Sequence, residues 1–209
     1  MQRPPGRITG ASRKSLILYA DNIDPAPIVE DIETMASIYL DVPFVTQLGY
    51  GDATDPMNDR LGCWYAAACM VGYYFEQGPR LGLPDKYGER GHSVMMNEEV
   101  PELMENEGLV AEPLPADRNW TGDVLLDLLR KYGPLSFGWM KTSTRTGKRY
   151  GHRSVLIGYD TDTDVASFHD PERQPNQTVT LADFNARFRW VNPYAMLRRD
   201  GTGLYTRAG

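Results

Sequence analysis

The sequence predicts an α+β fold in which a helical N-terminal half, carrying a central buried helix, is joined to a C-terminal half of antiparallel strands. Two observations carry this. The run at 63–75 is Ala-rich and apolar on every side, the pattern of a helix buried all round rather than an amphipathic surface one. After residue 134 the pattern changes to short segments rich in β-branched and aromatic residues, separated by turn residues. With 209 residues, 41% of them hydrophobic and 24% charged, the chain can bury one substantial core and does not have the composition of a disordered chain.

In chain order, residues 1–37 mix Pro, Arg and acidic residues around a short apolar stretch, and read as a leader: a flexible, delivery or pro-segment. One ordered domain is expected over 38–209. It opens with a β-branched stretch from Ile38 that is expected to be a strand ending near Gln47, followed by a Gly- and Asp-rich loop up to Gly62. After the central helix, further helices are expected at 97–106, stopped by Gly108, and at 121–132, with Thr121 as N-cap and Gly133-Pro134 as the stop. Strands are expected at 135–140, 154–159 and 165–169, the last two forming a hairpin around the Asp-rich turn 160–164. A last helix at 180–188 precedes an aromatic, Arg-rich tail.

Charge and motif content exclude several function classes. A net charge of −6 without a basic stripe leaves no electrostatic footprint for nucleic acid. The only apolar run after Arg13 and Lys14 is Leu16 to Ala20, too short for a secretory signal, and there is no membrane span. The expectation is a protein cytoplasmic in the producing cell, or one exported without a cleaved signal into another cell. Asp160, Asp162 and Asp164 imitate the start of a calcium loop, but Val165 stands where Gly is needed and Pro171 where the bidentate Glu is needed. No metal or other cofactor is expected.

The two cysteines, Cys63 and Cys69, are six residues apart on one helix, about 600° around its axis and so on roughly opposite faces, which argues against a disulfide. Cys69 reads as core. Cys63 stands at the helix start, where the dipole and free backbone N–H groups favour the thiolate, the form that attacks carbonyls. The competing use of Cys63 is as a small buried residue. A thiolate nucleophile needs a base, and the base needs an orienting group. The C-terminal half offers both: His152 leads into one predicted strand and Asp170 follows the next, and the hairpin turn would set them side by side. Asp170 has an alternative as a turn carboxylate. His92 reads as a surface residue, and His169 as the weaker base, since adjacent strand residues face opposite sides. The aromatics Trp64, Tyr65, Tyr73, Tyr74 and Phe75 read as core packing rather than a ligand platform.

Taken in order, Gln47, Gly62-Cys63-Trp64-Tyr65-Ala66, Gly151-His152-Arg153-Ser154-Val155-Leu156-Ile157-Gly158-Tyr159 and His169-Asp170-Pro171 resemble the pattern of papain-like (clan CA) cysteine peptidases. The resemblance is closest to the papain-like cysteine protease family that includes avirulence effectors of bacterial plant pathogens. It covers about residues 40–190 and implies a Cys63, His152, Asp170 triad, with the Gln47 side chain as a second oxyanion donor beside the Cys63 backbone. The sixteen positions from Gln47 to Cys63 require the intervening loop to fold back. By the same analogy Trp190 would flank the site.

The function expected is a cysteine-nucleophile hydrolase, foremost a protease acting on a protein or peptide as a secreted effector or toxin, with an inhibitor or immunity protein as a possible partner. Two others are weighed against it: a cell-wall peptide amidase or acyltransferase using the same nucleophile, and an inactive domain that binds peptides in the old cleft.

Overall fold

A long strand, β4 (Arg149–Asp160), is the spine of the molecule, because a continuous apolar run from Val155 to Ile157 can be buried on both faces. The computed structural model describes residues 37–48, 60–78, 80, 82–87, 93–94 and 98–200. Residues 1–36 of the expected leader and His92 lie outside the described residues, while Ser37, its last residue, already pairs with Asp160 in the sheet.

Around the spine the helices are α1 (Cys63–Phe75), α2 (Pro84–Tyr87), α3 (Val100–Glu107), α4 (Gly122–Tyr132) and α5 (Leu181–Arg187). The other strands are β1 (Ser37–Tyr39), β2 (Leu109–Ala111), β3 (Leu135–Thr142), β5 (Val165–His169), β6 (Gln177–Thr180) and β7 (Met196–Arg199). They form one seven-stranded sheet in the order β2-β7-β3-β4-β5-β6, every pairing antiparallel, with β1 added to β4. Mixed helices and antiparallel sheet agree with the expected α+β class and are compatible with a papain-like fold.

The register explains how β4 holds three neighbours. β3 pairs it from Arg149 to Leu156, β5 from Val155 to Asp160, and β1 from Gly158 to Asp160, so β1 extends the edge that β3 leaves. The ladder slips between Leu156 and Gly158, and at Gly158 a Cβ would stand only 2.6 Å from the Ile38 carbonyl oxygen. Glycine is required there by the close approach of β1.

The helices cover this sheet. α1 lies on β4 with Ala66 through Gly72 all buried, as its all-round apolar sequence predicts. α4 is amphipathic and buries Leu125, Leu126, Leu128 and Leu129, capped at its start by Thr121 and ended by Gly133 at φ 74°. Thr180 caps α5 in the same way, its Oγ1 accepting from the Asp183 N–H at 3.2 Å; a cap of this kind is worth about 1 kcal/mol. Between sheet and α5, Phe137, Phe168, Phe184 and Phe188 pack edge-on or tilted. At the far end of α1, Gly72 leaves room for the buried Arg80, whose guanidinium lies 4.0 Å from both Glu76 and Glu107 and ties α1 to α3.

Several elements depart from the sequence reading, among them α2, β2 and β6, which it does not anticipate, and β4, which starts at Arg149 rather than at 154. The stretch 38–47 is a strand only at Ser37–Tyr39 and then runs as extended chain. The helix expected at 97–106 is Val100–Glu107. The tail holds β7, which inserts between β2 and β3. Its MLRR sequence does not read as an interior strand, but Arg198 pairs with Glu112 at 2.8 Å and Arg199 with Glu76 at 2.9 Å, while their guanidiniums lie over Tyr132 and Phe75. Among the described residues no helix is long and apolar enough to cross a membrane.

Gly158→Ala is expected to destabilise the protein by about 1–3 kcal/mol by forcing β1 off β4. A urea midpoint lowered at unchanged m-value checks this; an unchanged midpoint would show that β1 gives way at no cost.

Candidate active site

Helix α1 begins at Cys63 with no side-chain cap on its first turn, so the N-terminal N–H groups and the positive end of the dipole are left for the thiol. The packing of α1 on β4 sets the sulfur against His152, with which it forms a hydrogen bond. His152 is buried and stands opposite Trp139 in the β3–β4 ladder.

The β4–β5 hairpin does what its spacing predicts. Val155 pairs with His169, so the chain leaves β5 at Asp170 beside His152, and His152 Nε2 lies 2.8 Å from Asp170 Oδ1. A carboxylate only accepts, so Nε2 carries the proton in this bond and the other ring nitrogen, Nδ1, is left for the Cys63 sulfur. The carboxylate is itself held. Its Oδ1 also accepts from the Glu172 N–H at 3.0 Å, and its Oδ2 accepts from Lys141 Nζ at 2.9 Å. Lys141 bonds Glu172 as well, and the Tyr150 hydroxyl donates to Glu172 Oε2 at 2.8 Å. From the sulfur outward the charges alternate in sign: thiolate, imidazolium, Asp170, Lys141, Glu172.

This alternation decides the protonation states. Burial alone would push the Cys63 thiol up, but the His152 hydrogen bond and charge, the Arg153 backbone N–H and the Arg153 guanidinium together hold it below its ordinary value. Burial likewise opposes charging of His152, yet the hydrogen bonds to Asp170 and Cys63 raise its pKa. Burial would raise Asp170, and the bonds from His152 and Lys141 bring it down instead, to about 2. The shifts of Cys63 and His152 favour the ion pair over the neutral pair. Cys69 is the contrast: burial pushes its thiol up to about 12, as expected of a core residue.

Gln47 joins the two halves of the site. Its backbone N–H donates to the Pro171 carbonyl at 3.0 Å, just beyond Asp170, and its side-chain Nε2 donates to the Arg60 carbonyl at 3.0 Å, three residues before Cys63. The loop from 49 to 59 lies outside the described residues, but its two ends meet, as the sixteen-residue gap requires. His169 is held for structure: its Nε2–H donates to the Val42 carbonyl at 2.9 Å and its Nδ1 accepts from the Asn176 N–H at 3.1 Å, with burial keeping it neutral.

A cleft opens at Cys63 and His152. One side is apolar, with Leu61, Trp64, Val94, Val100 and Leu103; the other is polar, with Gly138, Gly151, Arg153, Arg189 and Asn192. Trp64 therefore has a cleft-lining face besides its core role. Trp190 does not line the cleft. It stacks on Trp120 and packs on Phe188, and its Nε1–H bonds the Asn185 carbonyl at 3.0 Å. The neighbouring Arg189 lines the cleft in its place.

His152, Asp170 and Glu172 have ligand atoms within 4.8 Å of one another. Lys141 already stands against both carboxylates and supplies the charge a metal ion would bring, so the group is better satisfied as a hydrogen-bonded chain. Lys141, Glu172, Arg153 and Arg189 were not singled out from the sequence. Period-two alternation along β3 and the Pro171-Glu172 step after Asp170 are the only hints of the first two.

Since the thiol is lowered through its pairing with a raised imidazole, alkylation of Cys63 by iodoacetamide should already be fast at pH values below those at which an ordinary thiol reacts. Asp170→Asn removes the partner that raises His152 and so weakens the imidazolium that lowers the thiol; the onset of iodoacetamide inactivation should move to higher pH, and an unmoved onset would count against the coupling. The Asp170 carboxyl is lowered from 3.8 to about 2, so its contribution to stability is present above pH 3.8 and disappears as pH falls toward 2. Wild type should lose more stability over that interval than Asp170→Asn, as read by acid unfolding.

A family model described as papain-like cysteine protease AvrRpt2 matches residues 36–189, a span that takes in Gln47, Cys63, His152 and Asp170. With most of its length so matched, the chain belongs to the papain-like cysteine protease AvrRpt2 family.

Proposed function

We propose that Cys63, His152 and Asp170 are the catalytic triad of a protease that cleaves peptide bonds through an acyl-enzyme. The observation that carries this is the position of His152, hydrogen-bonded to Asp170 and lining the same cleft as Cys63, whose thiol it lowers. The thiolate attacks the scissile carbonyl carbon, and the electron pair of the carbonyl moves onto oxygen. Cys63 lies at the first position of α1, where the backbone N–H has no intrahelical acceptor, and it serves as one donor to that oxyanion. Gln47 is the second donor in this reading: Nε2 has two N–H bonds, and Arg60 takes one.

Collapse of the tetrahedral species expels the amine, which takes the proton from His152 and leaves a thioester on Cys63. His152, now neutral, takes a proton from water as the water attacks the thioester. The acid is released and the thiolate–imidazolium pair is restored. Asp170 stays ionised throughout and orients the ring. The family's avirulence effectors support a protein target met after delivery into another cell.

The purified protein is incubated near neutral pH with an epoxide thiol-protease inhibitor and with iodoacetamide, alongside Cys63→Ala, His152→Ala and Cys69→Ala. Labelling should vanish in Cys63→Ala, slow in His152→Ala by about 10²-fold or more, and persist in Cys69→Ala. A Cys63 that reacts like a free thiol and ignores the loss of His152 would sink the hydrolase reading in favour of peptide binding without catalysis. On a cleaved peptide substrate, Gln47→Ala should lower kcat by about 10²–10³-fold with little change in KM. A fall confined to KM would place Gln47 in ground-state binding only.

A further inference from the structure

The polar side of the cleft carries more positive charge than the proposed chemistry uses. The Cys63–His152 ion pair is neutral as a unit, and Lys141 stands between Asp170 and Glu172, which leaves one negative charge there. Arg153 and Arg189 then add two positive charges. Arg153 is buried, and its guanidinium bonds only neutral acceptors, the Ser136 hydroxyl at 3.1 Å and the Tyr194 carbonyl at 2.8 Å. No carboxylate among the described residues pairs with either arginine. Arg153 feels the Cys63 thiolate, but His152 already matches that charge, so an anionic ligand still relieves the cost of burying the cations.

The backbone is shaped to hold Arg189 there. Its N–H donates to the Gly138 carbonyl at 3.1 Å, and its side chain runs across two glycines on neighbouring strands. A Cβ at Gly151 would stand 2.6 Å from the Arg189 guanidinium nitrogen, and one at Gly138 would sit 3.8 Å from its Cδ. A third donor lies in the same wall. Asn192 is 1% exposed; its Oδ1 accepts from the Tyr194 N–H at 2.8 Å, while its Nδ2 is buried without a partner. Two guanidiniums and a spare amide N–H beside a nucleophile make a fork suited to a planar carboxylate.

We propose that Arg189, Arg153 and Asn192 form a specificity subsite that binds a substrate carboxylate next to the scissile bond, so that the enzyme prefers an Asp or Glu residue at that position. This rests on the hydrolase reading and narrows its substrate class. Burial brings the Arg153 guanidinium down to about 10, with the Cys63 charge acting against that and the Arg189 charge adding to it, which agrees with two cations sharing one enclosed wall.

The test separates the subsite from the catalysis. Cys63 is alkylated with iodoacetate and, separately, with iodoacetamide, reagents that differ by a carboxylate; the ratio of the two rates cancels changes in thiol reactivity and is compared with that of a free thiol. The ratio should exceed the free-thiol value by about tenfold, fall several-fold in Arg189→Gln and recover only in part in Arg189→Lys, because a lysine restores the charge without the fork. Peptide pairs differing only as Asp against Asn, or Glu against Gln, at each position around the cleaved bond should show a kcat/KM preference for the acid of at least about tenfold, reduced in Arg189→Gln. A further pair, with a free or an amidated C-terminus, separates a side-chain carboxylate from a chain-terminal one; preference only for the free C-terminus would overturn the Asp or Glu assignment. A free-thiol ratio that is unmoved in Arg189→Gln overturns the subsite even if peptides are cleaved. Slow iodoacetamide labelling that ignores His152 overturns the hydrolase reading instead, and the reagent ratio still reports on the arginines.

Discussion

The hydrogen bond from His152 Nε2 to Asp170 Oδ1, 2.8 Å long, organises the rest of the site. It sets the tautomer, directs the other ring nitrogen at the Cys63 sulfur and raises the imidazole pKa so that the thiol can lose its proton. The bond holds its direction because Asp170 is not free to turn: the Glu172 N–H bonds its Oδ1 and Lys141 its Oδ2. In a buried, low-dielectric place each charge in such a chain depends on its neighbour, and removing one member leaves the next uncompensated. The ion pair at Cys63 is thus a property of five side chains from four segments.

The sheet supplies the rigidity. His152 lies on β4 and Asp170 directly follows β5 in the same hairpin, and their relative position follows from the ladder between Val155 and His169. Cys63 comes from the other half and depends on the seating of α1 against β4. Gln47 joins the halves a second time, through Pro171 on one side and Arg60 on the other. A residue anchored at both ends is already ordered, which is what the proposed oxyanion role requires.

Two neighbouring residues, His169 and Asp170, show how strand geometry assigns roles. Their side chains leave the chain on opposite sides. One meets the Val42 carbonyl and the Asn176 N–H and is held neutral, while the other meets His152 and Lys141 and is held ionised. The cleft divides in a similar way, with aliphatic and indole surface from the helical half and guanidinium and amide donors from the sheet and the segment after α5.

That Cys63, His152 and Asp170 meet, and the class of fold, were legible in the chain because local pattern encodes them. An all-apolar Ala-rich run means a buried helix, a cysteine at its start meets a helix dipole, and two strands around an Asp-rich turn must align their ends. The alternation rule separated Asp170 from His169 before any coordinates. What the chain alone did not disclose depends on partners distant in sequence. The Arg-rich tail becomes the interior strand β7 only because Glu112, Glu76, Tyr132 and Phe75 wait for its guanidiniums. Lys141 joins the site through cross-strand neighbours, and Arg189 displaces Trp190 from the cleft wall because Gly138 and Gly151 leave a path for its side chain. Side-chain type and spacing along one segment are local quantities, whereas compensation of a buried charge depends on which segments meet, and only the packed sheet settles that.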